Sequence, residues 1–330
     1  MIIVNVYLCK ILLQAKNLFS KLPSLVDINI RSGTQLTICG DVHGQYYDLL
    51  NIFKLAGSPS KDHAFLFNGD FVDRGSFSVE CMLLLLAYKC LFPEHFHLSR
   101  GNHETKDMNS MYGFEGETKA KYGINHVELN AYEISRYSDT MYRMFTEVFE
   151  ALPIGYVIEK KILVVHGGLP KNPKVTLEEI AKIDRFVQPG NEGMFLLNRH
   201  DEWCLGLMCE LLWADPHPNN GITPSKRGVA HQFGPDITSE FLRNNNLGIC
   251  ERLMYVHEVL DMVIRSHEVK EGGYVIEHDG KCVTIFSAPN YWYTTRSAIL
   301  TYLVIMLEIR VRSFKLLQTC SSRMRLLQQW

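Results

Sequence analysis

Neither sign of charge is in surplus in this 330-residue sequence: 34 Lys and Arg stand against 36 Asp and Glu. Without excess positive charge there is little to displace counterions from a polyanion, so no nucleic-acid partner is expected. No Cys-x-x-Cys occurs, and nine cysteines (9, 39, 81, 90, 204, 209, 250, 282, 320) fall at irregular intervals. An odd, unpatterned set suggests neither a disulfide framework nor a zinc knuckle, and reads as reduced intracellular thiols. The apolar N-terminus lacks the basic leader and small-residue cleavage site of a signal peptide. Nor is there an apolar run of the about 20 residues that a spanning helix needs; residues 298–307, the strongest late run, are too few. These absences point to a protein with no membrane span, resident in the cytoplasm and/or nucleus. With no internal repeat and no Pro/Gly/Ser linker, residues 1–330 read as a single domain.

What is present is a repeated pairing of an apolar strand with a Gly-containing turn. Residues 34–39, 64–67, 96–99, 161–165, 262–265 and 283–286 read as strands, whereas 8–22, 47–55 and 79–91 carry helical spacing. Strands alternating with helices predict an α/β layered architecture around a buried sheet. Ligands in open α/β sheets gather at strand carboxyl ends, so these turns imply one shared site.

The turns carry metal-ligand chemistry. Asp41 and His43 are one residue apart in Gly40-Asp-Val-His-Gly44; Asp70 and Asp73 lie in Gly69-Asp-Phe-Val-Asp-Arg-Gly75. Asn102 and His103 follow the third strand, His166 the fourth and His267 a later one. Mixed carboxylate, imidazole and amide donors suit Mn, Fe or Zn. Two ions need about six to eight donors, and Asp70, central in the order of turns, is the candidate to bridge them. Such a pair polarises a phosphoryl oxygen and lowers the pKa of a bound water. One Asp-x-His alone could equally cap a helix; five such turns in order could not all be explained that way.

Arg74 and Arg227 are candidates to clamp phosphate oxygens, because a planar guanidinium matches that geometry. Either arginine could instead be an ordinary surface or ion-pair residue, and for Arg227 taken alone that is the better reading. His103, held by a carboxylate such as Asp73, could protonate a leaving oxygen or serve as a core or capping histidine. Tyr291 suits a hydrogen bond to substrate or a hydroxyl satisfied by backbone.

The ordered set of Gly40-Asp-Val-His-Gly44, Gly69-Asp-Phe-Val-Asp-Arg-Gly75, Gly101-Asn-His-Glu104, His166-Gly-Gly168, Arg265-Ser-His-Glu268 and Ser287-Ala-Pro-Asn-Tyr291 resembles the PPP-type serine/threonine protein phosphatases. Tyr112-Gly-Phe-Glu-Gly-Glu117 and neighbouring strings are most similar to the catalytic domain of the phosphatase-5 subfamily. The resemblance implies an αββα sandwich of the calcineurin-like metallophosphoesterase type, with a dinuclear metal site at strand ends. It implies that Asp41, His43 and Asp70 hold one metal, with Asp70 bridging to a second held by Asn102, His166 and His267. Asp73 and His103 would form the acid pair, and Arg74, Asn102, Arg227 and Tyr291 would contact substrate. The metals would be Mn, or Fe with Zn or Mn. The reaction would be in-line attack of a metal-bridged hydroxide on phosphoserine or phosphothreonine of phosphoprotein substrates, without a phosphoenzyme.

Departures from the family pattern are also legible. No tetratricopeptide repeats precede the motifs, so partners docking through them are not expected. Residues 123–139, 191–205 and 248–260 read as inserts, the first suited to a loop, and residues 292–330 form an atypical tail. Were the closing strands missing, a bare sheet edge would favour an inactive or folding-compromised binding isoform over an active phosphatase.

Overall fold

The computed structural model describes residues 2–31, 33–123, 131–189, 202–245, 261–289, 291, 304–310, 313–319 and 325–326. Side chains alternate across a strand, and here the alternation separates two kinds of core. In Gln35–Cys39 and His63–Phe67, Leu36, Ile38 and Leu66 face a second sheet, whereas Cys39, Phe65 and Phe67 face helices. The second sheet answers with Val26, Tyr156, Ile158, Ile162, Val164, Ile264, Val283 and Ile285 on its inner face. Its outer face carries Val157, Leu163, Val165 and Val263.

That second sheet orders Leu25–Ile28, Gly155–Ile158, Ile162–Val165, Met262–Arg265, Cys282–Ile285 and Tyr274–Glu277. The first orders Arg325–Leu326, Ser313–Thr319, Val304–Arg310, Gln35–Cys39, His63–Phe67 and Phe96–Leu98. Helices Ile2–Ser20, Tyr46–Ala56, Ser78–Leu91 and Ala131–Ala151 cover the first sheet. Leu177–Ala181, Glu202–Trp213 and Pro235–Asn244 cover the second. The result is an αββα sandwich of the calcineurin-like type. Phe53, Phe65, Phe67 and Phe96 interlock under the first helical layer, with Phe53 and Phe65 centroids 5.4 Å apart and Phe67 and Phe96 5.6 Å apart. Each such side chain withdrawn from water contributes about 2–3 kcal/mol. No helix among the described residues is long and apolar enough to cross a membrane.

Two expectations are corrected. Residues 131–139, part of the stretch suited to a loop, lie in the helix Ala131–Ala151, and 124–130 lie outside the described residues. Met141, Phe145, Val148 and Phe149 recur at helical spacing and are buried, and Lys16 pairs with Glu147 at 2.9 Å. This buried stripe commits the segment to helix, and the turns before it continue from there. The flank of Gln35–Cys39, which missing closing strands would leave bare, is covered among the described residues. Val304–Arg310 pairs antiparallel with Gln35–Cys39 (Ile305 opposite Ile38, Leu307 opposite Leu36) and Ser313–Thr319 adds beyond it. The edge amides and carbonyls of Gln35–Cys39 thereby find partners within the chain. Of the other suspected inserts, residues 202–205 open the helix Glu202–Trp213, while 191–201 and 248–260 lie outside the described residues.

Candidate metal centre

Three adjacent strands of the first sheet run parallel and end level, with Cys39 opposite Phe67 and Phe67 opposite Leu98. The turns that follow therefore emerge side by side, carrying Asp41 and His43, then Asp70, then Asn102 and His103. In the second sheet Ile162–Val165 and Met262–Arg265 are likewise parallel, which sets His166 beside His267. The sheets are stitched where these ends meet. The Asn68 amide donates to the Val165 carbonyl (2.8 Å) and Ser266 Oγ (3.0 Å), and the Gly40 N–H donates to Ser287 Oγ at 2.9 Å.

The turns are conformationally costly. His43, Asp70, Asp73, Arg74 and His267 all have positive φ, between 45° and 70°, half of the ten described non-glycine residues that do so. Each costs on the order of 1 kcal/mol or more, so half of this backbone strain gathers around one site. Gly101 belongs here for steric reasons: a Cβ on it would overlap the Asp70 carboxylate and backbone amide.

Two sets of donor atoms converge, each lying within 4.8 Å of one another: His43, Asp70 and His103, and Asp70, His166 and His267. Asp70 belongs to both. Its Oδ1 is 3.3 Å from His166 Nε2 and its Oδ2 is 3.5 Å from His43 Nε2. The far nitrogens fix the tautomers, because a carbonyl can only accept. His43 Nδ1–H donates to the Val72 carbonyl (3.0 Å) and His166 Nδ1–H to the Asn68 carbonyl (2.7 Å). Both Nε2 atoms are thus aimed at the carboxylate. The Asn102 side-chain oxygen lies 2.9 Å from His166 Nε2, 3.0 Å from His267 Nδ1, and 3.1 and 3.2 Å from the two Asp70 oxygens. A buried amide oxygen turned toward a carboxylate and two imidazole nitrogens is an arrangement that a cation among them satisfies, as does a proton on His166 Nε2. The donors present therefore fit a hard-to-borderline metal pair.

Charge balance leads to the same place. Burial, with the nearby Asp70 charge, pushes Asp41 up to about 7, so two buried carboxylates compete for a cation. Although burial alone would raise Asp70 too, His166 and His103 hold it well below the usual carboxylate range. Burial works against a charged His166, yet Asp70 brings it up to about 9. A proton there occupies the place a metal would take, and metal binding releases it. His43 and His267 are held neutral by burial, His43 at about 3, which leaves lone pairs free to ligate.

His103 differs. Its Nδ1 sits 2.8 Å from Asp73 Oδ2. Burial would lower its pKa, but the Asp70 charge and the Asp73 hydrogen bond outweigh that and raise it. It falls in the first tight set where the sequence pointed to Asp41, but its raised pKa favours the doubly protonated ring, which has no lone pair to give. Asp41 remains close by: Oδ2 is 3.7 Å from His43 Nε2, and Oδ1 accepts the His267 N–H at 3.2 Å.

The remaining sequence candidates ring this centre. Tyr291 Oη is 3.3 Å from His43 Nε2, and the Arg74 guanidinium lies 5.3 Å from the Tyr291 ring. Arg227 donates from Nη2 to the His267 carbonyl (3.0 Å) and from Nε to Asp215 Oδ2 (2.7 Å).

Other functional groups went unnoticed in the sequence. The buried Glu104 carboxylate accepts the Gly101, Asp70 and Phe71 N–H groups, each at 2.8 Å, and so fixes the strained Asp70 turn. Fully buried Arg265 binds Asp215 Oδ1 (2.8 Å) and Glu268 (2.7 Å), which makes Asp215 a bridge between two arginines. Glu104, Arg265 and Glu268 stood inside recognised strings but had no assigned task; Asp215 had no local signal at all.

Comparison with known proteins agrees with this geometry. The calcineurin-like phosphoesterase family profile matches residues 34–271. A tomato (Solanum lycopersicum) serine/threonine-protein phosphatase 5 is 51% identical over 285 residues, covering 86% of this chain and 44% of that protein. The Homo sapiens counterpart is 50% identical over 282 residues, covering 86% and 48%. The chain thus spans about half the length of the curated relatives it matches. A solved structure of a Saccharomyces cerevisiae protein serine/threonine phosphatase, described as similar to human phosphatase 5, superposes with a TM-score of 0.74. It is 41% identical, and the match covers 91% of this chain and 81% of that one. With its ligand-bearing strand ends and these likenesses in accord, the chain belongs to the calcineurin-like phosphoesterases, in the phosphatase-5-type branch of the serine/threonine protein phosphatases.

Proposed function

We propose that this chain is a metal-dependent serine/threonine phosphatase that hydrolyses phosphoserine and phosphothreonine in phosphoprotein substrates. The observation that carries the reading is one carboxylate, Asp70, shared by two donor sets and flanked by a proton-holding histidine. Asp41, His43 and Asp70 would hold one ion, and Asp70, Asn102, His166 and His267 the other, as Mn or as Fe with Zn or Mn. Such a pair, when bound, polarises phosphoryl oxygens and brings the pKa of a water between the ions toward neutrality.

The chain's own residues supply the rest. Arg74 and Arg227 approach from opposite sides and fix the phosphoryl oxygens, with Tyr291 beside them. As a water oxygen adds to phosphorus, the bond from phosphorus to the seryl or threonyl oxygen breaks, and His103 delivers its proton to that leaving oxygen. Asp73, hydrogen-bonded behind it, orients the ring and stabilises its charged form. A pair of arginines suits the dianion of a monoester over a diester. Protein purified with Mn should release phosphate from a phosphopeptide and leave a phosphodiester nearly untouched. Folded, metal-loaded protein that releases none would overturn the reading.

A further inference from the structure

Tyr112-Gly-Phe-Glu-Gly-Glu117 marked a likeness in the sequence, and in the structure its first residues touch Arg74, His103 and Asp73. Arg74 is exposed, its backbone is left-handed (φ 68°), and its guanidinium pairs with no carboxylate among the described residues. Tyr112 holds it twice. The Tyr112 carbonyl accepts the Arg74 N–H at 3.1 Å, and the guanidinium carbon lies over the Tyr112 ring, 4.4 Å from its centroid. The same ring stands 5.1 Å from that of His103.

Tyr112 is itself firmly set. It ends the helix Lys106–Tyr112, where Gly113 (φ 116°) turns the chain. The next N–H, of Phe114, binds Asp73 Oδ1 at 2.9 Å. One turn earlier Asn109 donates to the His103 carbonyl at 2.6 Å and to Asp73 Oδ2 at 3.3 Å.

We infer that Tyr112 is a positioning residue, whose ring face presents the Arg74 guanidinium to the phosphoryl group. A carboxylate partner would consume the in-plane N–H donors that must reach phosphate, whereas a π face attracts the cation and leaves them free. Without the ring, an exposed arginine stem would have to be ordered on each binding event, at a cost in side-chain entropy. The inference rests on the proposed phosphatase function, and the test separates the two.

Tyr112→Leu keeps apolar bulk and removes the π face. Its KM for a phosphopeptide and its inhibition constant for inorganic phosphate should both rise about 3- to 30-fold, with a much smaller change in kcat. Tyr112→Phe should restore most of the loss. In an Arg74→Ala background, Tyr112→Leu should add almost nothing, because the ring acts through that arginine. An undiminished effect in that background, or a fall in kcat with KM and phosphate inhibition unmoved, would refute the inference. Thermal midpoint and metal content are measured alongside, and Tyr112→Met replaces Tyr112→Leu should the latter fail to fold. If the parent turns over no phosphopeptide, the functional reading falls. Calorimetric binding of inorganic phosphate to the metal-loaded variants still decides the role of Tyr112.

Discussion

Arg74 and Arg227 reach one centre from the two halves of the sandwich, and they are held by opposite means. Arg227 is braced by charge: Asp215 takes its Nε, and Asp215 is in turn fixed by fully buried Arg265. Arg74 is held by ring faces, Tyr112 at 4.4 Å and Tyr291 more loosely at 5.3 Å, and a single backbone bond, with no carboxylate among the described residues. The braced arginine has spent part of its donor fork before substrate arrives. The stacked one keeps its donors and depends on its neighbours to aim them. One half therefore contributes rigidity and the other available hydrogen bonds, and Asp70 joins them.

The sharpest way to break this contrast is to remove what both halves share. Asp70→Asn should lower phosphopeptide turnover on the order of 10³-fold or more, with bound metal falling in elemental analysis. Turnover and metal content both near the parental level would show that the halves do not meet at this carboxylate. On the first half alone, His103→Asn should reduce kcat about 10²–10⁴-fold with little change in KM. Its pH behaviour follows from sign. Asp70 and Asp73 raise His103 above its usual 6.5, so the proton is fully present below that value and is lost as pH rises through the raised one. Parental kcat should fall along this alkaline limb, and the variant should lack it.

On the second half, Asp215→Asn strips a counter-charge from buried Arg265, although Glu268 remains at 2.7 Å. Breaking a buried pair of this kind should cost about 3 kcal/mol in urea unfolding. Arg74→Ala, exposed and without an ion pair, should cost less than about 0.5 kcal/mol in the same measurement. Equal losses would erase the distinction between braced and stacked arginines. An effect between these two is expected at Glu117, whose carboxylate caps the helix Ser78–Leu91 through the Ser78 (3.1 Å) and Val79 (2.8 Å) N–H groups. Glu117→Gln should lower stability by about 0.5–1 kcal/mol, read as a small drop in thermal midpoint.

Legibility followed the range of the physics. Gln35–Cys39 and His63–Phe67 could be read because period-two alternation and the Gly-flanked turns after them are local signals. Leu25–Ile28 and Gly155–Ile158 were missed: they are short, adjoin no ligand turn, and become strands by pairing with each other. The candidate residues from Asp41 to Tyr291, Arg227 apart, could be proposed because each stands in or beside a turn whose chemistry is visible in a few letters. Asp215 and Tyr112 could not be given a task that way. Their significance lies in what they touch, Arg227 and Arg265 in one case, Arg74 and His103 in the other, and no spacing rule encodes it.

The pairing of Val304–Arg310 along Gln35–Cys39 carries a consequence for how the molecule comes into being. The edge of an early strand is closed by residues made about 270 positions later, a separation that slows folding. During synthesis, then, the strand that leads into Asp41 and His43 waits with one flank open until that late hairpin arrives. A nascent chain of this kind spends its longest vulnerable interval beside its future reaction centre, where holding chaperones would have the most to protect.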